Sequence, residues 1–166
     1  YDLAVMGLFA SLPLMAGVIG DLAGGWTSDL LVKRGAGLKM ARRLVAVVGF
    51  VTAATMMPLA AAIDAPVASI VCFCIAVFGL ELTVGVSWAV TLDIGGEFAG
   101  SVSAVMNTLG NLGAAIAAAV TGYIVTVSGW FPAFMVLAVL CAIAALLFLR
   151  IDASRQLTAA DAPAAA

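Results

Sequence analysis

The chain alternates long apolar stretches with short polar breaks, and the apolar stretches decide its fold class. A helix needs roughly 20 residues, at about 1.5 Å of rise each, to cross the bilayer core. Five stretches are long enough, so the predicted spans are residues 3–31, 44–63, 67–90, 99–126 and 131–149. Residues 1–151 are therefore predicted to form an all-α, polytopic bundle of transmembrane helices.

Composition strengthens this prediction. Hydrophobic residues make up 65% of the 166 positions, charged residues make up 10%, and the mean hydropathy is +1.24. A soluble domain of this length could not bury so much apolar surface in one core, and the remainder would form exposed patches. The composition excludes a soluble globular domain and indicates that the lipid bilayer is the solvent.

The positively charged residues lie at one end of the predicted bundle, which gives its orientation. They are Lys33, Arg34, Lys39, Arg42 and Arg43 after the first span, and Arg150 and Arg155 after the fifth. With five spans both places lie on one face, and the positive-inside rule makes that face cytoplasmic. We therefore predict that the chain starts outside and that its C-terminus is cytoplasmic. The Ala-rich tail, residues 152–166, is predicted to be disordered.

Several kinds of chemistry have no support in the sequence. The three cysteines, Cys72, Cys74 and Cys141, lie inside apolar runs and lack metal-ligand spacing, and the chain has no His. We therefore expect no metal, no cofactor and no catalytic triad. The net charge of −2 leaves no basic face for nucleic acid. The chain begins with Tyr1 and shows no signal peptide, so we expect an internal fragment.

Three polar residues interrupt the apolar spans. Glu81 lies near the middle of the third span, where a charge costs at least about 2.5 kcal/mol. It is either protonated or paired with a residue outside this chain, or else a neutral group bonded to backbone or hydroxyls. Asn107 and Asn111 are four residues apart and share one helix face. Their amides suit either a polar substrate or a hydrogen bond between helices.

Small residues and a carboxylate mark the end of the first span. Ala16, Gly20, Gly24 and Ser28 recur every four residues, which predicts close packing against another helix. Asp21 lies on the same span, about 12 Å deeper than Asp29 at helical rise. We expect Asp21 to face protein or a water-filled cavity, because it is too polar to face lipid.

Two segments carry a resemblance to a known family. The segment GGWTSDLLVKRG, residues 24–35, resembles the cytoplasmic loop signature of the major facilitator superfamily. The basic cluster that follows it, residues 39–43, looks like the superfamily's anion:cation symporter family. The segment SWAVTLDIGGEFAGSVSAVMNTLGNLG, residues 87–113, is similar to that family's link between its tenth and eleventh spans. The signature often has Arg directly after its Asp, whereas this chain has Leu30.

The resemblance implies that the chain corresponds to spans eight to twelve, most of a C-terminal six-helix half, with the N-terminal half as its partner. It places substrate in a central cavity near the bilayer midplane. The resemblance also implies that Gly25, Asp29, Lys33 and Arg34 belong to a conformational gate. We hypothesise that Asp29 accepts hydrogen bonds from the start of the fourth span, where the helix dipole is positive. A solvated, interfacial Asp29 is the alternative.

The same resemblance supplies candidate substrate contacts. They are Asn107, Asn111, Ser87, Trp88 and Glu81. Trp88 also suits an interfacial anchor. Asp93 and Glu97 lie in the turn after the third span, where salt bridges with Arg42 or Arg43 explain them better than acid–base catalysis does.

The expected function is a secondary active transporter of the inner membrane, with proton-coupled symport of an organic anion such as a sugar acid by alternating access. One alternative is a drug or cation efflux antiporter of the same superfamily. Another is a membrane-embedded scaffold or enzyme. An enzyme would need polar residues from several spans at one depth, and the sequence offers mainly Glu81, Asn107 and Asn111.

Overall fold

The computed structural model describes residues 3–158, and in that part of the chain the architecture is a bundle of five long helices. The helices are α1 (Leu3–Lys33), α2 (Leu38–Ala62), α3 (Pro66–Gly95), α4 (Ala99–Ser128) and α5 (Trp130–Phe148). A short 3-10 turn, Gly96–Phe98, joins α3 to α4. The protein is a polytopic, membrane-spanning helical bundle, as the apolar pattern predicted.

Four continuous stretches of the described chain are long and apolar enough to cross a membrane. The third, Pro66–Ser128, has 63 residues and includes both α3 and α4. As one helix it would be about 95 Å long, three times the bilayer core. The chain instead reverses at Gly96, whose φ of 48° favours glycine, and α4 packs back against α3. Each predicted span therefore has its own helix.

The largest difference from the predicted boundaries is at the start of α2. The apolar run begins at residue 44, whereas the helix begins at Leu38. The extra turn and a half carries Lys39, Arg42 and Arg43, so these cations lie on a regular helix rather than on a loop. A helix fixes their directions, and this decides which of them meets the carboxylates of α1 and α3.

Helices α1 and α3 run parallel and meet through glycines. A Cβ added at Gly20 would overlap the Phe78 carbonyl, and one added at Gly24 would overlap the Leu82 carbonyl. The two backbones can approach this closely only because neither position has a side chain. This contact confirms that the small-residue stripe of the first span serves helix packing.

Helix α3 is the centre of the bundle, since it packs extensively against both α1 and α2, while α5 packs on the far side of α2. A cluster of buried residues joins α2, α3 and α5 near one end of the bundle. Its members are Val45, Ala46, Val86, Val90, Phe148 and Ala153. Helix α4 has no buried residue among those described and lies at the periphery.

The segment after α5 folds back onto the same end of the bundle. The Lys39 ammonium lies 2.6 Å from the Asp152 carboxylate, and the Arg43 Nε donates to the Ile151 carbonyl at 2.6 Å. The Leu157 N–H donates to the Ile94 carbonyl at 2.8 Å. Residues 152–158 of the tail predicted to be disordered therefore lie against α2 and α3, and residues 159–166 are outside the described part. The contacts also bring the two groups of basic residues to one end.

Candidate functional site: an ion cluster at the basic end of the bundle and polar residues within the helices

The strongest polar cluster in the described chain is centred on the Arg42 guanidinium. Its Nη1 donates to the Asp29 carboxylate and to the Ser28 hydroxyl, each at 2.6 Å, and its Nε donates to the Asp93 carboxylate at 2.8 Å. The three partners come from the last turns of α1 and α3, while Arg42 comes from the first turns of α2. One side chain thus joins the ends of three helices.

Burial makes this cluster strong. The Arg42 side chain is 7% exposed and Asp93 is 21% exposed, whereas Asp29 is 54% exposed. A guanidinium holds two acceptors at fixed angles, which a lysine ammonium cannot do. The charge-assisted bond to Asp93 is the more shielded of the two and contributes more than the bond to the half-solvated Asp29.

Ser28 orients the cluster from the α1 side. Its hydroxyl donates to the Gly25 carbonyl at 3.0 Å, which leaves its lone pairs free to accept from Arg42. Ser28 is fully buried. The sequence placed it only in the small-residue stripe. The sequence did offer one indication of a polar role for Ser28. Its hydroxyl ends the stripe of small residues and directly precedes the carboxylate of Asp29.

The four predicted gate residues have different environments in the structure. Asp29 is bonded to Arg42 on α2, and within residues 3–158 it accepts no hydrogen bond from the start of α4. A full positive charge on a buried guanidinium outcompetes the partial charge of a helix terminus. Lys33 and Arg34 are exposed and form no ion pair in the described chain, while Gly25 faces the Gly85 carbonyl across the α1–α3 contact.

The predicted pairing of the turn after the third span is confirmed at one residue. Asp93 pairs with Arg42, as expected from the basic loop opposite it. Glu97 is exposed and has no ion pair among the residues that the structure describes. Asp93 continues the helical face of α3 that packs on α2, whereas Glu97 lies in the 3-10 turn beyond it.

Deeper in the bundle, Asp21 and Glu81 line one open groove between α1 and α3, with a volume of about 270 Å³. The stem of Glu81 packs on Gly17, where an added Cβ would lie 3.1 Å from Glu81 Cγ. Neither carboxylate has a salt bridge in the described chain. The structure thus brings the unexplained Asp21 beside Glu81, which sequence spacing alone could not show because they lie on different helices.

The asparagine pair lies on the uncovered side of α4. The Asn111 amide donates to the Asn107 side-chain oxygen at 3.1 Å and to the Asn107 carbonyl at 2.7 Å. Both residues are exposed. Within residues 3–158 the Asn107 side-chain nitrogen donates no hydrogen bond and the Asn111 side-chain oxygen accepts none, so the pair retains hydrogen-bonding capacity on its open side.

Ser87 and Trp88 lie on α3 and are less available. The Ser87 hydroxyl donates to the Thr83 carbonyl of its own helix at 2.7 Å, and Trp88 is 41% exposed. The structure therefore distributes the candidate substrate residues over α3 and α4, without bringing them into one pocket. In the described part of the chain, no group of three His, Cys, Asp or Glu side chains is placed to hold a metal ion.

Comparison with known proteins identifies the family. The family model described as Major Facilitator Superfamily matches residues 1–165. The chain belongs to the major facilitator superfamily. The segment that carries Gly25 and Asp29, which resembles the superfamily's loop signature, supplies one of the carboxylates that Arg42 contacts.

Three named transporters align along most of the chain. A probable sulfoacetate transporter of Cupriavidus necator is 36% identical over 154 residues, which cover 92% of this chain and 36% of that protein. A probable galactarate/D-glucarate transporter of Bacillus subtilis is 33% identical, covering 85% of this chain and 31% of its own length. A hexuronate transporter of the same organism is 32% identical, covering 87% and 36%. The chain spans about a third of these relatives.

Proposed function

We propose that this major facilitator superfamily chain is the C-terminal part of a secondary active transporter that imports an organic anion together with protons. Three relatives are named as transporters of sulfoacetate, of galactarate and D-glucarate, and of hexuronate. These compounds share an acidic group on a small polar carbon skeleton. The N-terminal half would complete the cavity that the present helices line on one side, and alternating access would move substrate across it.

The observation that carries the proposal is the open amide face of α4. Asn107 and Asn111 are exposed on a helix that has no buried residue among those described. Amides within a membrane span do not face lipid at low cost, so this face borders protein or a water-filled pathway. Amides also donate and accept, which matches both the hydroxyls and the carboxylate of a sugar acid. We assign the pair to substrate contact, together with Ser87 and Trp88 on α3.

Proton coupling is assigned to the groove between α1 and α3. Glu81 and Asp21 line it together, and the described cations lie at the far end of the bundle. A carboxyl that binds and releases a proton as the groove opens to either side would couple substrate movement to the proton gradient. Glu81, whose stem is packed against Gly17, is the better placed of the two to respond to a movement of α1 against α3.

The Arg42 cluster is assigned to the gate at the cytoplasmic end. Its bonds hold the ends of α1, α2 and α3 together. The half-exposed Asp29 can also meet a helix start when the two halves close. In this role Gly25 permits the close α1–α3 approach, and Lys33 and Arg34 provide exposed positive charge. The clustering of all basic residues at this end supports a cytoplasmic location for it, in the inner membrane.

A transport assay with paired variants tests the substrate assignment. The full-length transporter that contains this chain is reconstituted into liposomes, and uptake of galactarate, glucuronate and sulfoacetate is measured. Asn111→Ala should raise KM for the transported anion about tenfold, since it removes one hydrogen bond of ~1.4 kcal/mol. Thr108→Ala, on the neighbouring face of α4, is the matched control. Equal KM values for the two variants would contradict substrate contact by the pair.

An efflux antiporter for lipophilic cations is the second candidate, and the Asp21–Glu81 groove favours it, because two acidic groups attract cations. The same liposomes distinguish the candidates. Accumulation of a lipophilic cation, with no uptake of any of the three anions, would support the antiporter and overturn the symporter.

A further inference from the structure

Helices α2 and α5 leave a second groove, of about 370 Å³, which the transport proposal does not use. Its walls include Val47, Val51 and Thr55 from α2 and Ala142, Leu146 and Leu149 from α5. The Thr55 hydroxyl bonds to the Val51 and Thr52 carbonyls at 2.9 and 3.1 Å, so its hydrogen-bonding need is met within α2. The groove is apolar and extends about 12 Å from Val47 to Thr55 at helical rise.

The composition of α2 and α5 indicates that this groove faces lipid. No charged residue occurs in residues 44–62 of α2 or in residues 130–148 of α5. The carboxylate and amide side chains within the apolar spans lie on the other three helices, namely Asp21 on α1, Glu81 on α3 and Asn107 on α4. The pathway side and the α2–α5 side of the bundle are therefore chemically distinct.

Positive charge lies at one end of the groove. Arg43 is one helical turn before Val47, and Arg150 directly follows Leu149. The bond from the Arg43 Nε to the Ile151 carbonyl, at 2.6 Å, places the Arg43 guanidinium beside the residue that follows Arg150. Arg150 is exposed and has no ion pair within residues 3–158. The nearby Asp152 is already paired with Lys39, so it does not neutralise either arginine.

We propose that this groove binds one anionic phospholipid, with an acyl chain along α2 and α5 and the phosphate held by Arg43 and Arg150. The groove supplies a dry apolar wall for the chain, and the two guanidiniums supply donors that match phosphate oxygens. A basic mouth between helices, at the level of the headgroups, is the chemistry that selects an anionic headgroup over a zwitterionic one. In the orientation proposed above, this lipid belongs to the cytoplasmic leaflet.

The bound lipid has a structural role that follows from its position. Its chain contacts α2 and α5 at once, and its phosphate contacts the end of each helix. It therefore braces the pair of helices behind the Arg42 cluster, on the side away from the pathway. Occupancy of the groove does not depend on which substrate the transporter carries.

Native mass spectrometry of the purified full-length transporter tests the proposal directly. The protein is equilibrated with phosphatidylglycerol or with phosphatidylcholine of identical chains, and the retained lipid is counted. We expect preferential retention of phosphatidylglycerol. Arg150→Gln should lower its affinity about fivefold, which corresponds to ~1 kcal/mol for one basic residue at a membrane surface. Arg155→Gln removes the same charge away from the groove and should leave the affinity unchanged.

A second variant pair tests the acyl-chain half of the site without changing charge. Ala142→Phe fills the groove and should lower phosphatidylglycerol retention, while Leu140→Phe, on the opposite face of α5, should not. Equal retention of the two lipids by the wild type would overturn the proposal. So would equal losses in Arg150→Gln and Arg155→Gln, or equal losses in Ala142→Phe and Leu140→Phe. None of these readouts requires transport activity.

Discussion

Removing the Arg42 guanidinium is the most informative single perturbation of this bundle, because three helices meet on it. In Arg42→Gln, the 21%-exposed Asp93 loses a charge-assisted bond of 2.8 Å, and Asp29 loses one of 2.6 Å. A bond to a shielded charge contributes about 1.5–3 kcal/mol. The half-solvated Asp29 contributes at most about 1 kcal/mol. We therefore expect the free energy of unfolding to fall by about 3 kcal/mol, near the lower end for a broken buried pair.

The assay is unfolding of the full-length transporter in detergent, with a double-mutant cycle to separate the two carboxylates. The coupling free energy between Arg42→Gln and Asp93→Asn should be about 2 kcal/mol, and that between Arg42→Gln and Asp29→Asn should be below about 1 kcal/mol. Arg155→Gln, which removes an exposed cation, should change stability by less than about 0.5 kcal/mol. A coupling with Asp29 equal to or larger than that with Asp93 would refute the reasoning from burial.

Three further predictions concern packing, the folded tail and proton coupling. Gly24→Val should prevent correct folding, because its Cβ would overlap the Leu82 carbonyl. Gly122→Ala should be tolerated, because a Cβ at this position lies in open space. The yield of folded protein, measured by size-exclusion chromatography, checks both. Lys39 and Ser154 hold the pKa of Asp152 well below its ordinary value. The stability that Asp152 gives to the folded tail is therefore fully present above the ordinary pKa and is lost only as the pH falls towards the lowered pKa. The protection factor of the Leu157 amide, which corrects its exchange rate for the intrinsic pH dependence of exchange, should accordingly be constant from neutral to mildly acidic pH in the wild type and lower at neutral pH in Asp152→Asn. Equal protection factors in both would contradict the contact. Glu81→Gln should abolish proton movement with substrate while retaining counterflow exchange of the anion, and an unchanged proton flux would remove Glu81 from the coupling role.

Much of the fold could be predicted because the bilayer imposes a length and a polarity on each element. The predicted starts of the third and fifth spans, residues 67 and 131, lie within one residue of the observed helix starts at Pro66 and Trp130. The start of α2 was predicted too late, since a hydropathy pattern cannot recognise a polar helical turn that projects beyond the membrane. The contacts of the folded tail could not be predicted either, because they too depend on residues outside the apolar spans. Ala153 is 2% exposed only because Asp152 and Ile151 bond to α2, and those partners are more than 100 residues away in sequence.

The charged residues of the candidate site could be predicted from the sequence, but which of them pair with one another could not. Asp29 and Asp93 stood out as acids at the ends of spans, and Arg42 as one of five cations near them. The rotation of α2 about its axis decides which cation contacts both acids. That rotation is set by contacts between helices, such as Gly49 against Gly79, and not by a pattern within α2. The Asp21–Glu81 groove follows likewise from the parallel, glycine-mediated packing of α1 on α3, which no periodicity within one helix encodes.

Proton-driven symport of an organic anion predicts that an imposed pH gradient drives uptake of the anion. Liposomes that contain the full-length transporter are prepared with an alkaline interior, clamped to zero membrane potential, and supplied with labelled galactarate or sulfoacetate. We expect at least one of these anions to accumulate above its external concentration. This accumulation should collapse when a protonophore is added and should be absent in Glu81→Gln. Equal uptake with and without the gradient, or accumulation of lipophilic cations in place of the anions, would contradict proton-driven symport.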